Sequence, residues 1–321
     1  MFDLVFLGTS AAAPSAYRGL SAHIISHRQY RFLLDCGEGT QRQILRSGLG
    51  FRRLDNILLT HSHLDHIMGL GGLVSTLTRW DTDIMDDFDI YGSKATLKRV
   101  SDLIFGVALR GSKAAASVKL HDLKPGMVIL EDSKFKLTAF PVVHRGPGCY
   151  GFSFEEKSRR PFLDKKAEAL GVPFGPERAK LVQGEPITLA DGRLVHPDDV
   201  LGDVVKGTKY VHIGDLAETE GLEEICADAD ALVVEATYTD EEADLAKSYG
   251  HLTAAQGARF AKEVGVKTLI LTHISRRHTG RQIGKEAGSI FKNTYVARDF
   301  DRFEISQNKV VRFRDEGERK G

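Results

Sequence analysis

The stretch Asn56-Ile57-Leu58-Leu59-Thr60-His61-Ser62-His63-Leu64-Asp65-His66 decides how this chain is read. It begins as a short apolar run of strand character and ends in four metal-ligand side chains: His61, His63, Asp65 and His66. These four cannot all be core side chains, because burying such groups without partners is costly. Imidazole with carboxylate suits Zn²⁺, or alternatively Mn²⁺. One catalytic metal needs three protein ligands and an open position, whereas a metal pair needs about six or seven, one of them bridging.

The same arrangement, a His or Asp just past an apolar strand, recurs three times. His144 ends TAFPVVH, Asp215 ends KYVHIGD, and His273 sits in TLILTHIS. The candidate ligands are therefore His61, His63, Asp65, His66, His144, Asp215 and His273. A closed structural zinc site usually has four ligands and is rich in thiolate, so this set disfavours a non-enzymatic module that keeps metal for structure.

Around these residues run further strand-like segments at 4–7, 23–26, 32–35, 89–92, 150–154 and 231–238, and a closing hairpin with its turn at Gln307-Asn308. They are short and rich in β-branched or aromatic residues. Helical patterns lie at Thr40–Ser47, Ile67–Leu77, Lys94–Leu109, Thr253–Val264 and Arg281–Phe291. On Lys94–Leu109, residues Leu97, Val100, Leu103, Ile104 and Val107 are spaced along one face. Early strands followed by alternating strands and helices predict an α/β layered domain with a mixed sheet.

Residues 157–202 break the pattern. They hold five of the nine prolines and have poor hydrophobic periodicity, and they are too long for an ordinary connection. Residues 157–180 carry seven Lys/Arg against three Asp/Glu, a local surplus in a chain of net charge zero. The segment reads as an inserted arm on a single domain of residues 1–321, either a solvated loop or a platform for a polyanion.

Composition narrows the class. The chain has 321 residues, 42% hydrophobic and 27% charged, as in a soluble globular protein. No apolar run is long enough to span a membrane, and the opening MFDLVFLGTS has no basic leader, so no membrane association and no secretory signal are expected. Three cysteines, Cys36, Cys149 and Cys226, form no C-x-x-C pair and point to a reducing cytoplasm.

His61-x-His63-x-Asp65-His66 resembles the signature of the metallo-β-lactamase superfamily. The chain is more closely similar to its ribonuclease Z branch through FLGTSAAAP (6–14), LLDCGEGTQRQ (33–43), LTHSHLDHIMGLGGL (59–73), GEPITLADGRLV (184–195), VHIGD (211–215), EATY (235–238) and LTHIS (271–275). Leu64, Gly19 and Leu216 stand where that branch commonly has Gly, Asn and Thr. The resemblance implies a four-layer αβ/βα sandwich with the site on one edge. It implies a dizinc endoribonuclease that removes the 3′ trailer from precursor tRNA. One metal would sit on His61, His63 and His144 and the other on Asp65, His66 and His273, with Asp215 bridging. Asp65 would orient a metal-activated water.

Asp35, otherwise a turn residue, would hold the His loop. His251 alone reads as a structural His before a helix cap. The resemblance makes it the proton donor to the leaving ribose oxygen, oriented by Glu235, with Thr253 giving a hydroxyl to a phosphate oxygen. It also favours the platform reading of the arm, with Lys157, Arg159, Arg160, Arg178 and Lys180 as candidate tRNA contacts. A homodimer is implied, the arm of one subunit serving the cleft of the other. The competing reading is a dizinc phosphodiesterase or related hydrolase of small substrates, which has no need of such a platform.

Overall fold

The computed structural model of the protein describes residues 1–78, 87–110 and 117–314. Its strands in chain order are β1 (Phe2–Gly8), β2 (Ala22–His27), β3 (Tyr30–Leu34), β4 (Asn56–Leu58), β5 (Asp87–Gly92) and β6 (Ser117–Asp122). Then come β7 (Val128–Glu131), β8 (Phe135–Val142), β9 (Cys149–Glu156), β10 (Ile187–Thr188), β11 (Leu194–Val195) and β12 (Lys209–His212). The last are β13 (Ala231–Glu235), β14 (Leu269–Thr272), β15 (Thr294–Val296), β16 (Arg302–Ser306) and β17 (Lys309–Phe313).

Among the described residues, one sheet has the order β17-β16-β1-β2-β3-β4-β5-β6 and the other β15-β14-β13-β12-β9-β8-β7. Both are mixed, as expected. Strands β3 to β6 run parallel, and so do β12 to β15, while the remaining neighbours are antiparallel.

Strand alternation builds the layers. Phe2, Leu4 and Phe6 of β1 join Phe32, Phe135, Phe152, Phe154, Tyr210 and Val233 in one apolar cluster, which lies between the sheets. Val5 and Leu7 of the same strand point the other way, onto Ile44, Leu70, Val74 and Val100 from the helices Thr40–Arg46, Gly69–Leu77 and Lys94–Ser101. On the second sheet Val211, Val234 and Leu271 meet Ala258, Ala261 and Ile283 of Ala254–Glu263 and Gly280–Ile290. Side chains of period two thus face opposite sides of each sheet, giving the αβ/βα sandwich of four layers. Each fully buried Leu, Val or Phe contributes about 1.5–3 kcal/mol.

Two local expectations change. The helix predicted over Lys94–Leu109 is α-helical only to Ser101, and Asp102–Ala108 is a π-helix, with the Leu109 N–H donating to the Ile104 carbonyl five residues back. The wider turn takes Val107 off the apolar face, leaving it 72% exposed. The arm is also more ordered than its pattern suggests. It contains the helices Asp164–Leu170, Pro176–Val182 and Pro197–Val200 and the hairpin β10–β11. A cluster of its own, including Ala167, Val172, Leu181, Ile187, Val195 and Val200, holds these together. Bridges Arg159–Val205 and Phe162–Leu201 close its stem.

Candidate metal centre

Strands β3 and β4 of one sheet, and β8, β12, β13 and β14 of the other, deliver polar residues just beyond their carboxyl ends: Asp35, the loop His61–His66, His144, Asp215, the last residue of β13 Glu235, and His273. Chain direction alone puts β12, β13 and β14 in register, and β8 is parallel to them because both it and β12 are antiparallel to β9. Every ligand predicted from sequence reaches the same place. Among the described residues the donor atoms form three overlapping sets: His61, His63, His144 and Asp215; Asp65, His66 and His273; and Asp215, His251 and His273.

Asp215 is the hub. Its Oδ2 lies 3.5 Å from Nε2 of His61, 3.5 Å from Nε2 of His66 and 3.7 Å from Nε2 of His144, and its Oδ1 lies 3.3 Å from Nε2 of His273. His66 and His273 bring their Nε2 atoms within 3.4 Å, and His144 Nε2 lies 3.4 Å from His63 Nδ1. Nε2 of His61 and Oδ1 of Asp215 are buried with no hydrogen-bond partner. Imidazole and carboxylate donors converging at these distances fit a site for divalent cations.

The opposite ring nitrogens explain why the lone pairs face inward. His66 donates from Nδ1 to Asp35 at 2.7 Å, and His144 from Nδ1 to the Gly250 carbonyl at 2.6 Å. His61 Nδ1 meets the Thr60 hydroxyl at 3.0 Å, and that hydroxyl in turn donates to Asp35. His273 Nδ1 meets the Thr237 hydroxyl at 2.9 Å, and that hydroxyl donates to Glu235. With its Nδ1 proton tied to an acceptor, each ring keeps the Nε2 lone pair for a metal. His63, whose Nδ1 points inward, is the exception. Thr60 and Thr237 are the residues that sequence reasoning missed. The signal was the Thr directly before His61 and the Thr of EATY.

Backbone geometry contributes as well. Asp35, His273 and Ala12 all have left-handed backbone, with φ of 54°, 57° and 56°. Non-glycine residues there are strained, and they persist where the surroundings fix them. Ala12 uses that geometry to aim its N–H at Asp65 Oδ2, 2.8 Å away.

The electrostatics follow the crowding. Burial pushes His61, His63 and His144 down. Burial would do the same to His66, but Asp215, Asp35 and Asp65 raise it well above the ordinary value. Burial opposes ionisation of Asp215, and the surrounding imidazoles, His273 and His66 foremost, overcome this and hold its carboxyl well below the usual range.

Beside the cluster, His251 donates from Nδ1 to Glu235 Oε1 at 2.8 Å, and a ring nitrogen of His251 lies within 4.8 Å of donor atoms of Asp215 and His273. Burial opposes its charge, but Glu235 raises its pKa to about 9. Glu235 is fully buried and also accepts from the Leu216 and Thr237 amides.

Two expected substrate contacts, Thr253 and Arg178, are corrected by the geometry. Thr253 is fully buried; its hydroxyl caps the helix Ala254–Glu263 and bonds Asp240, so it cannot reach a phosphate. Arg178 is buried in the arm, bonded to Asp164 at 2.8 Å and to the Val172 carbonyl, with its guanidinium 3.6 Å above the Phe174 ring. Arg160 is bound to the Gly202 and Leu201 carbonyls and to Asp198. Arg178 is spent on folding the arm, whereas Arg160 keeps about a third of its side chain exposed. Lys157 pairs with Glu131 on the surface, and Arg159 and Lys180 are exposed.

Residues 2–159 match the family described as Anti-Pycsar protein Apyc1, and residues 172–274 that described as Beta-lactamase superfamily domain. A Ribonuclease Z of Bradyrhizobium diazoefficiens is 48% identical over 302 residues, covering 94% of this chain and 99% of the relative. A Ribonuclease Z of Archaeoglobus fulgidus is 38% identical, covering 95% of this chain and 98% of the relative. The crystal structure of human tRNase Z, short form, matches with a TM-score of 0.66 at 27% identity, covering 94% of this chain and 99% of that one.

Proposed function

The chain belongs to the ribonuclease Z family, a group of metal-dependent hydrolases of RNA on the metallo-β-lactamase fold, and from that premise we propose that it removes the 3′ trailer from precursor tRNA with two zinc ions. The observation that carries the reading is the convergence of seven His and Asp donors beside the His251–Glu235 pair. In this proposal His61, His63 and His144 would hold one metal and Asp65, His66 and His273 the other, with Asp215 available to both. When bound, the metals supply Lewis-acid polarisation of the phosphodiester and a water acidic enough to attack near neutral pH.

The remaining work belongs to side chains. Asp65, steadied by the Ala12 N–H, orients the attacking water. A ribose alkoxide is a poor leaving group and needs a proton as the P–O bond breaks. With Nδ1 held by Glu235, His251 carries that proton at Nε2. Asp35 ties Thr60, just before the His61–His66 loop, to His66 at its end and so fixes the loop's shape. The arm of residues 157–202 grips the tRNA body, with Arg159 and Lys180 as its exposed cations and Lys157 beside them. The chain works in the cytoplasm as a homodimer, the arm of one subunit serving the cleft of the other.

The test is kcat/KM of purified protein on a precursor tRNA and on bis-p-nitrophenyl phosphate, with elemental analysis of the same sample. About two metal ions per chain and a large preference for the precursor are expected. Efficient cleavage of the small diester with none of the precursor would make this a small-substrate hydrolase instead.

A further inference from the structure

At the rim of the centre lies a pair of side chains that the chemistry above does not use. Tyr249 ends the helix Ala243–Tyr249 and is 48% exposed. The Arg145 guanidinium lies 5.7 Å from the centroid of its ring. Arg145 is exposed and, among the described residues, has no carboxylate or carbonyl partner. Nothing in the fold therefore accounts for the placement of this arginine except the ring and the backbone beneath it.

That backbone is tied to the His and Asp donor cluster through His144. Gly250 takes the left-handed conformation (φ 69°) that ends the helix, and a Cβ there would come within 2.9 Å of Arg145 Cγ. The missing side chain lets the arginine stem lie across the turn toward Tyr249. The Gly250 carbonyl accepts from His144 Nδ1, Arg145 directly follows His144, and His251 directly follows Gly250. Consecutive Cα atoms are 3.8 Å apart, so the Tyr249 and His251 Cα atoms are separated by no more than about 7 Å. A nucleotide whose phosphate sits over the His and Asp donors thus has its neighbouring base within reach of this rim.

We propose that Tyr249 and Arg145 form a stacking site for an unpaired nucleobase next to the scissile phosphate, and so help to position single-stranded RNA in the cleft. The proposal rests on the RNA-cleaving reading and names the part of the substrate that this rim takes. An aromatic face with a guanidinium plane beside it is the ordinary protein surface for a splayed base, and it is tolerant of sequence because every base has a π-face. The half-exposed Tyr249 ring offers a π-face to the base, and the Arg145 guanidinium beside it adds attraction to the adjoining phosphate.

The experiment pairs protein variants with substrate variants. Wild type, Tyr249→Ala, Tyr249→Phe and Arg145→Met are assayed on one precursor tRNA and on versions made abasic at each of the two nucleotides on either side of the cut. Tyr249→Ala should raise KM on the intact precursor by about 10-fold, within the range of one lost base stack. Tyr249→Phe, which keeps the ring, should stay close to wild type. At one abasic position the penalty of Tyr249→Ala should shrink to less than about 2-fold, because the partner base is already gone. An equal penalty on intact and abasic substrates would overturn the proposal and make the pair a support for His144. No penalty on the intact precursor would overturn it too. If wild type fails to cut the precursor at all, the RNA reading itself falls, and this inference with it.

Discussion

Asp35→Asn should damage the metal centre out of proportion to its size. Asp35 accepts on both oxygens: the Thr60 N–H at 2.8 Å on Oδ1, and His66 Nδ1–H at 2.7 Å on Oδ2. An amide has only one oxygen. If it faces Thr60, the amide N–H confronts the His66 N–H, and relief requires moving the imidazole proton to Nε2, where a metal must bind. If it faces His66, the amide N–H confronts the buried Thr60 N–H. The first choice weakens metal binding by about 10–100-fold, the usual effect of losing the partner that orients a ligand. The second leaves a buried backbone donor unmet and lowers stability by about 1–3 kcal/mol. Asn tolerates the left-handed backbone that Asp35 adopts (φ 54°), so strain does not confuse the comparison. Competition with a chromophoric chelator gives the affinity, and urea unfolding of the metal-free protein gives the stability. Wild-type values in both measurements would refute this account of Asp35.

His251→Asn should lower kcat on precursor tRNA by about 100-fold and act much less on a p-nitrophenyl ester, whose leaving group needs no proton; equal losses on both would return His251 to a structural role. Arg178→Ala should open the arm to proteolysis and raise KM, whereas Lys180→Ala should raise KM and flatten its salt dependence without exposing the arm, as limited trypsin digestion beside the kinetics would show. Burial raises the Asp299 carboxyl to about 6, although the Gly19 amide and the Thr9 hydroxyl both donate to it. A raised carboxyl contributes stability below its unfolded pKa of about 4 and loses it as pH rises through about 6, so wild type should lose up to roughly 3 kcal/mol relative to Asp299→Asn between pH 4 and 7. A pH-independent difference in urea unfolding would exclude Asp299 as the cause.

Much of this protein is legible in its residue order. The seven candidate donors could be named because His61, His63, His144, Asp215 and His273 stand just past apolar strands, where a side chain leaves the core, and Asp65 and His66 follow in the same loop and the short helix Leu64–Ile67. The layered α/β class followed from short strand-like runs, such as residues 4–7, giving way to alternating strands and helices. What the sequence could not supply was whatever depends on a partner distant in the chain. Thr60 and Thr237 look like ordinary strand residues until His61, His273, Asp35 and Glu235 are placed around them. Arg178 counted as a free positive charge until its contacts with Asp164 and Phe174 were seen, and Thr253 as a substrate contact until it proved to be buried. Val107 fitted a helical face until one wide turn carried it off. Which residues carry metal-binding donors is written in their type and spacing, whereas an acid role for His251 was implied only by the family resemblance. Which of them are free to act is decided by hydrogen bonds and burial between distant segments, such as His66 and His273, 207 residues apart, because only the packed sheets bring those groups within reach of one another.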